Sequence, residues 1–342
     1  MSSKKWLLVV MVLCVVAVGV MAEVRVGVVF ATGGLGDRSF NDAGYEGIKK
    51  AEKELGIVYD YVEPQAIAEF ESHQRAFAQS GKYDLIVCLG FDQADSLQKV
   101  AKEYPKQKFV LIDSVVDASN VASITFKDHE KTFLVGALAA MLTTDTKNFR
   151  QMNSAARIGA IGGMDIPLIN AFLAGYTAGA KYINPNTEVY KAYVDAWNDP
   201  AKAKELALNM YNRGADIVYH AAGGSGLGIF KAAKQVNKYA IGTDSNQNFI
   251  EPDHVLLSAV RRLDNVIYDQ IKLVIDGKWQ GGVHNLGLKE KALDYTVEDS
   301  NLKIPQEMID EVETLRAKIV SGEIVVPDKF EDIDAFLAKV KR

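Results

Sequence analysis

Cysteine is nearly missing from this chain: Cys14 and Cys88 are the only two in 342 residues, and neither belongs to a metal-ligand or redox pair. Histidine is also sparse. The five, at 73, 129, 220, 254 and 284, form no HExxH pair and no His/Cys ligand spacing, so the sequence supports no metal chemistry and no cofactor is expected. Basic charge is in deficit. Lys and Arg number 39 against 44 Asp and Glu, a formal net charge of −5, which argues against nucleic acid or an anionic membrane surface as partner.

Long apolar runs are absent after the N-terminus. There, Lys4 and Lys5 precede the run Trp6 to Val20, and Val20-Met21-Ala22 offers a small-residue cleavage site before Glu23. The run is short of the roughly 20 residues a membrane span needs, and its order of charge, apolar stretch and small residues is that of a secretory signal peptide. Cleavage near Ala22 is expected, giving a periplasmic chain whose net charge has gone from −5 to −7 with the loss of two lysines. Cys14 sits mid-run behind Leu13, not at the run's end after a small residue, so it does not read as a lipid-bearing cysteine. Only Cys88 then remains, inside Leu85-Ile86-Val87-Cys88-Leu89, where a buried inert thiol is expected.

What the mature chain does have is a regular alternation of short β-branched runs and amphipathic segments. Val24 to Phe30 reads as a buried parallel strand and Asn41 to Leu55 as a helix stopped by Gly56, and the same pair recurs through residue 126. A small-residue helix, His129 to Leu142, leads to a second series that runs from Arg157 to Asp244 and copies the layout of the first. About 320 residues exceed one comfortable core, so two doubly wound parallel-sheet α/β lobes joined by a hinge are expected. The boundaries drawn are 1–22 for the signal peptide, 23–126 plus 256–283 for the first lobe, and 127–255 plus 284–342 for the second.

In such sheets ligands bind outside the carboxyl ends of strands. The stretch Gly33 to Asp42 stands at such an end. It is not a dinucleotide fingerprint, because Ser39 occupies the third glycine's place after Gly34 and Gly36, and it lacks the Gly-Lys-Ser/Thr of a phosphate loop. Its acids, amide, hydroxyl and Phe40 suit a neutral, hydroxyl-rich ligand with a flat face; the alternative is a helix-capping turn with Phe40 stapled into the core. The same strand-end logic selects Asp92, Asp113, Asp165, Trp197, Asn198, His220, Asp244 and Asn246 beside Asp37, Phe40 and Asn41. Acids there accept ligand O–H or N–H groups, with ionised acceptors about twice as strong as neutral ones. Phe40 and Trp197 follow strands of different lobes, so closure would let them face a planar ring. Ala221 to Gly228 is not a nucleophile elbow, since Leu227 stands where a glycine is required; Gly223 and its neighbours instead allow backbone amides close to a ligand. Of Arg261 and Arg262, one guanidinium is expected in the cleft and the other on the surface.

Five pieces in this order resemble the basic membrane protein family of substrate-binding proteins, and its purine-nucleoside receptors in particular. They are Gly36-Asp37-Arg38-Ser39-Phe40-Asn41, Gly162 to Pro167, Asn198 to Lys202, Ala221 to Gly228, and Gly242 to Gln247. The resemblance implies a type I periplasmic binding fold and delivery of nucleosides to an ABC permease; a monomer without enzymatic activity is expected. It implies that Phe40 stacks on the base, that Asn41 and Asp113 hydrogen-bond it, and that Asp244 holds the ribose hydroxyls. Arg261 falls where the family has a ribose-contacting lysine, and Trp197 where phenylalanine is common; the charge and the ring survive, but Lys to Arg alters donor geometry. A receptor for a free sugar, and a nucleoside or glycoside hydrolase using the clustered acids, are the competing readings.

Expressed in a secreting bacterium, the exported chain should begin at Glu23. Intact mass spectrometry checks this, and a mass that retains residues 1–22 or carries a lipid overturns it.

Overall fold

The structure, a computed structural model, describes residues 23–340; the signal peptide expected over residues 1–22 lies outside them. Two six-stranded sheets carry the chain. In the first lobe, β1 (Arg25–Val29) leads to α1 (Phe40–Leu55), β2 (Val58–Val62) to α2 (Phe70–Ser80), and β3 (Leu85–Leu89) to α3 (Ala94–Glu103), before β4 (Phe109–Ile112) and β5 (Val121–Phe126). The chain crosses into α4 (Asp128–Leu142) of the second lobe. There β6 (Arg157–Gly162), α5 (Pro167–Ile183), β7 (Glu188–Tyr193), α6 (Pro200–Asn212), β8 (Ile217–Ala221), α7 (Leu227–Val236), β9 (Tyr239–Asp244) and β10 (Val255–Arg261) follow in turn.

The strand alternation read from the sequence is thus present, and its physical basis is visible. Every residue of β3, β4 and β8 is buried, as the continuous apolar runs of parallel strands covered on both faces require. Cys88 is fully buried in β3, and burial pushes its thiol well above the usual range.

One boundary differs from expectation. Leu256 to Val260 was expected to return to the first lobe, but β10 pairs in parallel with β9, Val260 opposite Asp244, and so extends the second sheet. The return comes one element later. Helix α8 (Leu263–Ile275) packs on α1 so closely that a Cβ on Gly47 would stand 2.7 Å from the Asp264 carbonyl oxygen. Then β11 (Gly282–Leu286) adds to the edge of β5, and β12 (Leu293–Thr296) goes back to pair antiparallel with β10. Helices α9 (Gln306–Ser321) and α10 (Ile333–Val340) finish the described chain. The sheet orders are β11-β5-β4-β3-β1-β2 and β12-β10-β9-β8-β6-β7.

The small residues of α4 and α5 do what their size permits. A Cβ on Gly136 would collide with the Tyr176 carbonyl oxygen, and one on Gly179 with that of Phe133, so the two backbones touch. Gly179→Ala should therefore cost about 1–3 kcal/mol in urea unfolding. An unchanged midpoint would show that the helices can separate at no cost.

Candidate functional site

The strand orders decide what meets what. Along the first lobe's edge, β4, β3 and β1 end in turn at Asp113, at Gly90 to Asp92, and at Ala31 to Gly33; along the second, β10, β9 and β8 end at Arg261, Asp244 and Ala221 to Gly223. All of these ends except Ala222 line one cavity of about 650 Å³, counting the solvent in its mouth, a size suited to a small molecule. Asp37, Phe40, Asn41, Asp113, Trp197, Gly223, Asp244 and Arg261 all line it. Asp165 does not. It is exposed and accepts a hydrogen bond from Asn170 Nδ2 at 2.9 Å, because the turn after β6 directs it to the first turn of α5 instead of the cleft.

Three other strand-end candidates also leave the site. His220 is buried, with Nε2 3.0 Å from Gln247 Oε1, and burial holds its imidazole down at about 4. Asn198 is exposed, and Asn246 donates to Asp299 at 2.7 Å. Arg262 is the surface guanidinium, forked onto Asp264.

At one end of the cavity lies a buried ion cluster. Arg261, 3% exposed, donates from Nη1 to Asp113 at 2.8 Å and from Nε and Nη2 to Asp128 at 2.8 and 2.6 Å, with Asp244 Oδ1 3.6 Å from Nε. Lys131, fully buried, donates to Asp128 at 2.5 Å. Burial opposes ionisation of Asp128, yet Arg261 and Lys131 outweigh it and hold the carboxyl at about 2. Three acids face two bases, so one negative charge is in excess. Burial pushes the Asp113 carboxyl up, Arg261 opposing and Asp128 and Asp244 adding. Asp113 Oδ1 and Asp244 Oδ1 are buried and without a hydrogen-bond partner among the described residues. Both residues sit in the left-handed region, with φ of 73° and 63°, a strain of order 1–3 kcal/mol each that clusters at functional sites.

The loop before α1 both caps the helix and lines the cavity, but the capping side chain is Asp37, since neither Ser39 nor Asn41, which a capping turn would use, makes a side-chain cap bond there. The Asp37 carboxylate accepts from the N–H groups of Ser39, Asn41 and Asp42 at 2.8, 2.9 and 3.2 Å, so it caps α1 while forming part of the wall. Burial nevertheless lifts it to about 6. Asn41 accepts from Ala31 N–H at 3.0 Å, and its Nδ2 donates to no described residue. The same loop ties the lobes together: Ser39 Oγ donates to Asp244 Oδ2 at 2.7 Å, and the Arg38 carbonyl accepts from Ser245 Oγ and Gln247 Nε2 at 2.7 and 2.8 Å.

The aromatic walls are partly those expected. Trp197 lies against Gly163, where any Cβ would collide with its ring, and packs edge-on with Phe91 at 6.4 Å. Phe40 lies 5.8 Å from the Arg261 guanidinium, which Phe172 also faces at 4.9 Å. Phe91 was not among the residues singled out, although it stands two residues after the end of β3, where the strand-end rule could have found it. Asp128, two residues after the end of β5, was open to the same rule and was also missed, whereas Phe172 and Lys131 project from within α5 and α4, where no strand-end rule reaches. Ser225, in the glycine-rich turn, ties loops together by accepting from Asp199 N–H and donating to the Ala196 carbonyl at 2.8 and 2.9 Å.

Comparison with known proteins agrees in kind. Residues 24–329 match the family described as ABC transporter substrate-binding protein PnrA-like. The chain is 32% identical to an ABC transporter nucleoside-binding protein, BmpA, of Lactococcus lactis, over 91% of each chain. It is also 32% identical to an uncharacterised lipoprotein of Pyrococcus abyssi, covering 94% of this chain and 88% of that one. A crystal structure of an ABC transporter system solute-binding protein from Aeropyrum pernix superposes with a TM-score of 0.82 at 32% identity, covering 93% of this chain and 97% of that one.

Asp128→Asn should destabilise the ligand-free protein by about 3–5 kcal/mol, because it leaves buried cations short of an acid. Asp60→Asn, which breaks the half-exposed Arg25 pair, should cost under about 1 kcal/mol. Urea unfolding of both compares them directly, and equal losses would mean the cluster is not sealed from water.

Proposed function

We propose that this chain, which belongs to the PnrA-like family of ABC transporter substrate-binding proteins, is an extracytoplasmic, monomeric receptor that captures a purine nucleoside between its lobes and presents the closed form to a membrane permease. The observation that carries this reading is the polarity of the cavity. Beside Arg261 it offers Asp113 Oδ1 and Asp244 Oδ1, two buried oxygens without a hydrogen-bond partner among the described residues, and the rings of Phe40, Phe91, Phe172 and Trp197 line the same cavity. A nucleoside has the matching form, with adjacent hydroxyls on one part and a flat base on the other. The Lactococcus lactis relative's description as nucleoside-binding points the same way.

In this reading Asp244 and Asp113 accept ribose hydroxyls or a base N–H, and Arg261 holds both acids in place. Its Nε, one Nη1 hydrogen and one Nη2 hydrogen are already donated, so only the remaining N–H groups can reach a ligand. Asn41 Nδ2 supplies a further donor. Gly223, at φ 53°, keeps the backbone close to Trp197, with room for a Cβ only at 3.4 Å from its carbonyl oxygen. The bonds from Ser39, Ser245 and Gln247 across the cleft hold the shape that a permease would meet, and no covalent step is required.

Calorimetric titration of the refolded, ligand-stripped protein should give saturable one-to-one binding of purine nucleosides with little for ribose. Phe40→Ala should weaken every purine nucleoside by roughly tenfold or more, the measured scale of base stacking on an aromatic. Binding of ribose alone would leave the fold standing and turn the assignment to a sugar receptor, while conversion of the nucleoside on long incubation would turn it to a hydrolase.

A further inference from the structure

Asp92 lines the cavity where β3 ends, between the strand ends that carry Asp113 and Ala31. Its Oδ1 is buried and has no partner, and no other described residue donates to either carboxylate oxygen. A helix-start role would explain an acid here, but no side-chain cap bond is made at the start of the turn Phe91–Gln93 or of α3. The group sits over Gly90, where a Cβ would stand only 2.9 Å from Oδ1, and beside Phe91, the ring that meets Trp197. Burial lifts its carboxyl to about 6, with only its own backbone N–H opposing.

A desolvated acceptor left unpaired is costly to the empty protein, and a ligand that supplies the donor removes that cost. Asp37 is bonded to three backbone N–H groups and Asn41 Oδ1 to Ala31, while Asp113 holds Arg261 through Oδ2 and keeps only Oδ1 unbonded. Resting on the nucleoside reading above, we propose that Asp92 selects the base, accepting N–H hydrogen bonds from its edge at the Phe91–Trp197 end and favouring a guanine-type pair of adjacent donors. An ionised carboxylate only accepts. Guanine presents N1–H beside an N2 amine, hypoxanthine N1–H alone, adenine an amine beside an acceptor nitrogen, and unsubstituted purine no donor on that edge.

The test is titration of guanosine, inosine, adenosine and purine riboside into the wild-type protein, Asp92→Asn and Asp92→Ala, with melting temperatures measured without ligand. The wild type should prefer guanosine over purine riboside by about tenfold or more, the scale of one good bidentate pair. Both substitutions should shrink that ratio to below about threefold through loss of guanosine affinity, with purine riboside unchanged. The ligand-free melting temperature should hold or rise, since an unpaired buried charge has been removed. An unchanged ratio, or an equal loss for all four ligands with a lower melting temperature, overturns the role of Asp92 and leaves the nucleoside reading intact. Failure of the wild type to bind any of the four removes the nucleoside reading and this inference together.

Discussion

Arg261 is the group on which the rest of the site depends. It comes from the end of β10 in the second lobe, yet its Nη1 reaches Asp113 at the end of β4 in the first. Its other face is occupied by Asp128 at the start of α4, the helix into which the chain crosses between lobes. Taken alone, a guanidinium at this depth would be prohibitive; surrounded by three carboxylates it is held charged, well above even its usual range, burial opposing and the acids prevailing. A buried pair is poor evidence of stability, because well-packed apolar side chains often do as well. What the cluster supplies is placement: it fixes two acids so that each keeps one oxygen unbonded at the cavity.

Lys131 makes this arrangement tolerable. With it, the cluster carries one excess negative charge instead of two. Burial alone would drive its ammonium towards the neutral form, Asp128 resisting, and its pKa is lowered in consequence. The ring of Phe172 lies 4.4 Å from Nζ and, together with the more distant Asp244 carboxylate, favours the cation there. The site is thus electrostatically primed and locally strained at Asp113 and Asp244, the combination expected where residues are held for a ligand and not for the fold.

Much of this was legible in the sequence. Parallel strands buried on both faces must be nearly all apolar, so β1, β3, β4, β8 and β9 declared themselves, and the rule that strand ends face the cleft brought most of the wall with it. The reading faltered where pattern carries no tertiary information. Whether β10 joins one sheet or the other depends on which edge is open, and its own residues do not encode that. The short strands β11 and β12 have mixed exposure and lack the continuous apolar run. Asp165 obeyed the strand-end rule and still points to its own helix, since a turn can aim a side chain either way. Asp128 and Lys131 sit on a helix that reads as apolar packing, and only the fold reveals that Arg261 lies beside them.

The late arrival of β11 bears on how the molecule is made. The edge of β5 waits for residues 282–286, which lie beyond all but the last strand of the second sheet. A chain emerging from its N-terminus therefore cannot finish its first lobe before most of its second has appeared. Until then a parallel strand edge stands open to stray pairing, and closing it takes contacts very distant in sequence, which fold slowly. The two lobes therefore mature as one, and a chain held up after β5 has a first sheet without its last edge strand.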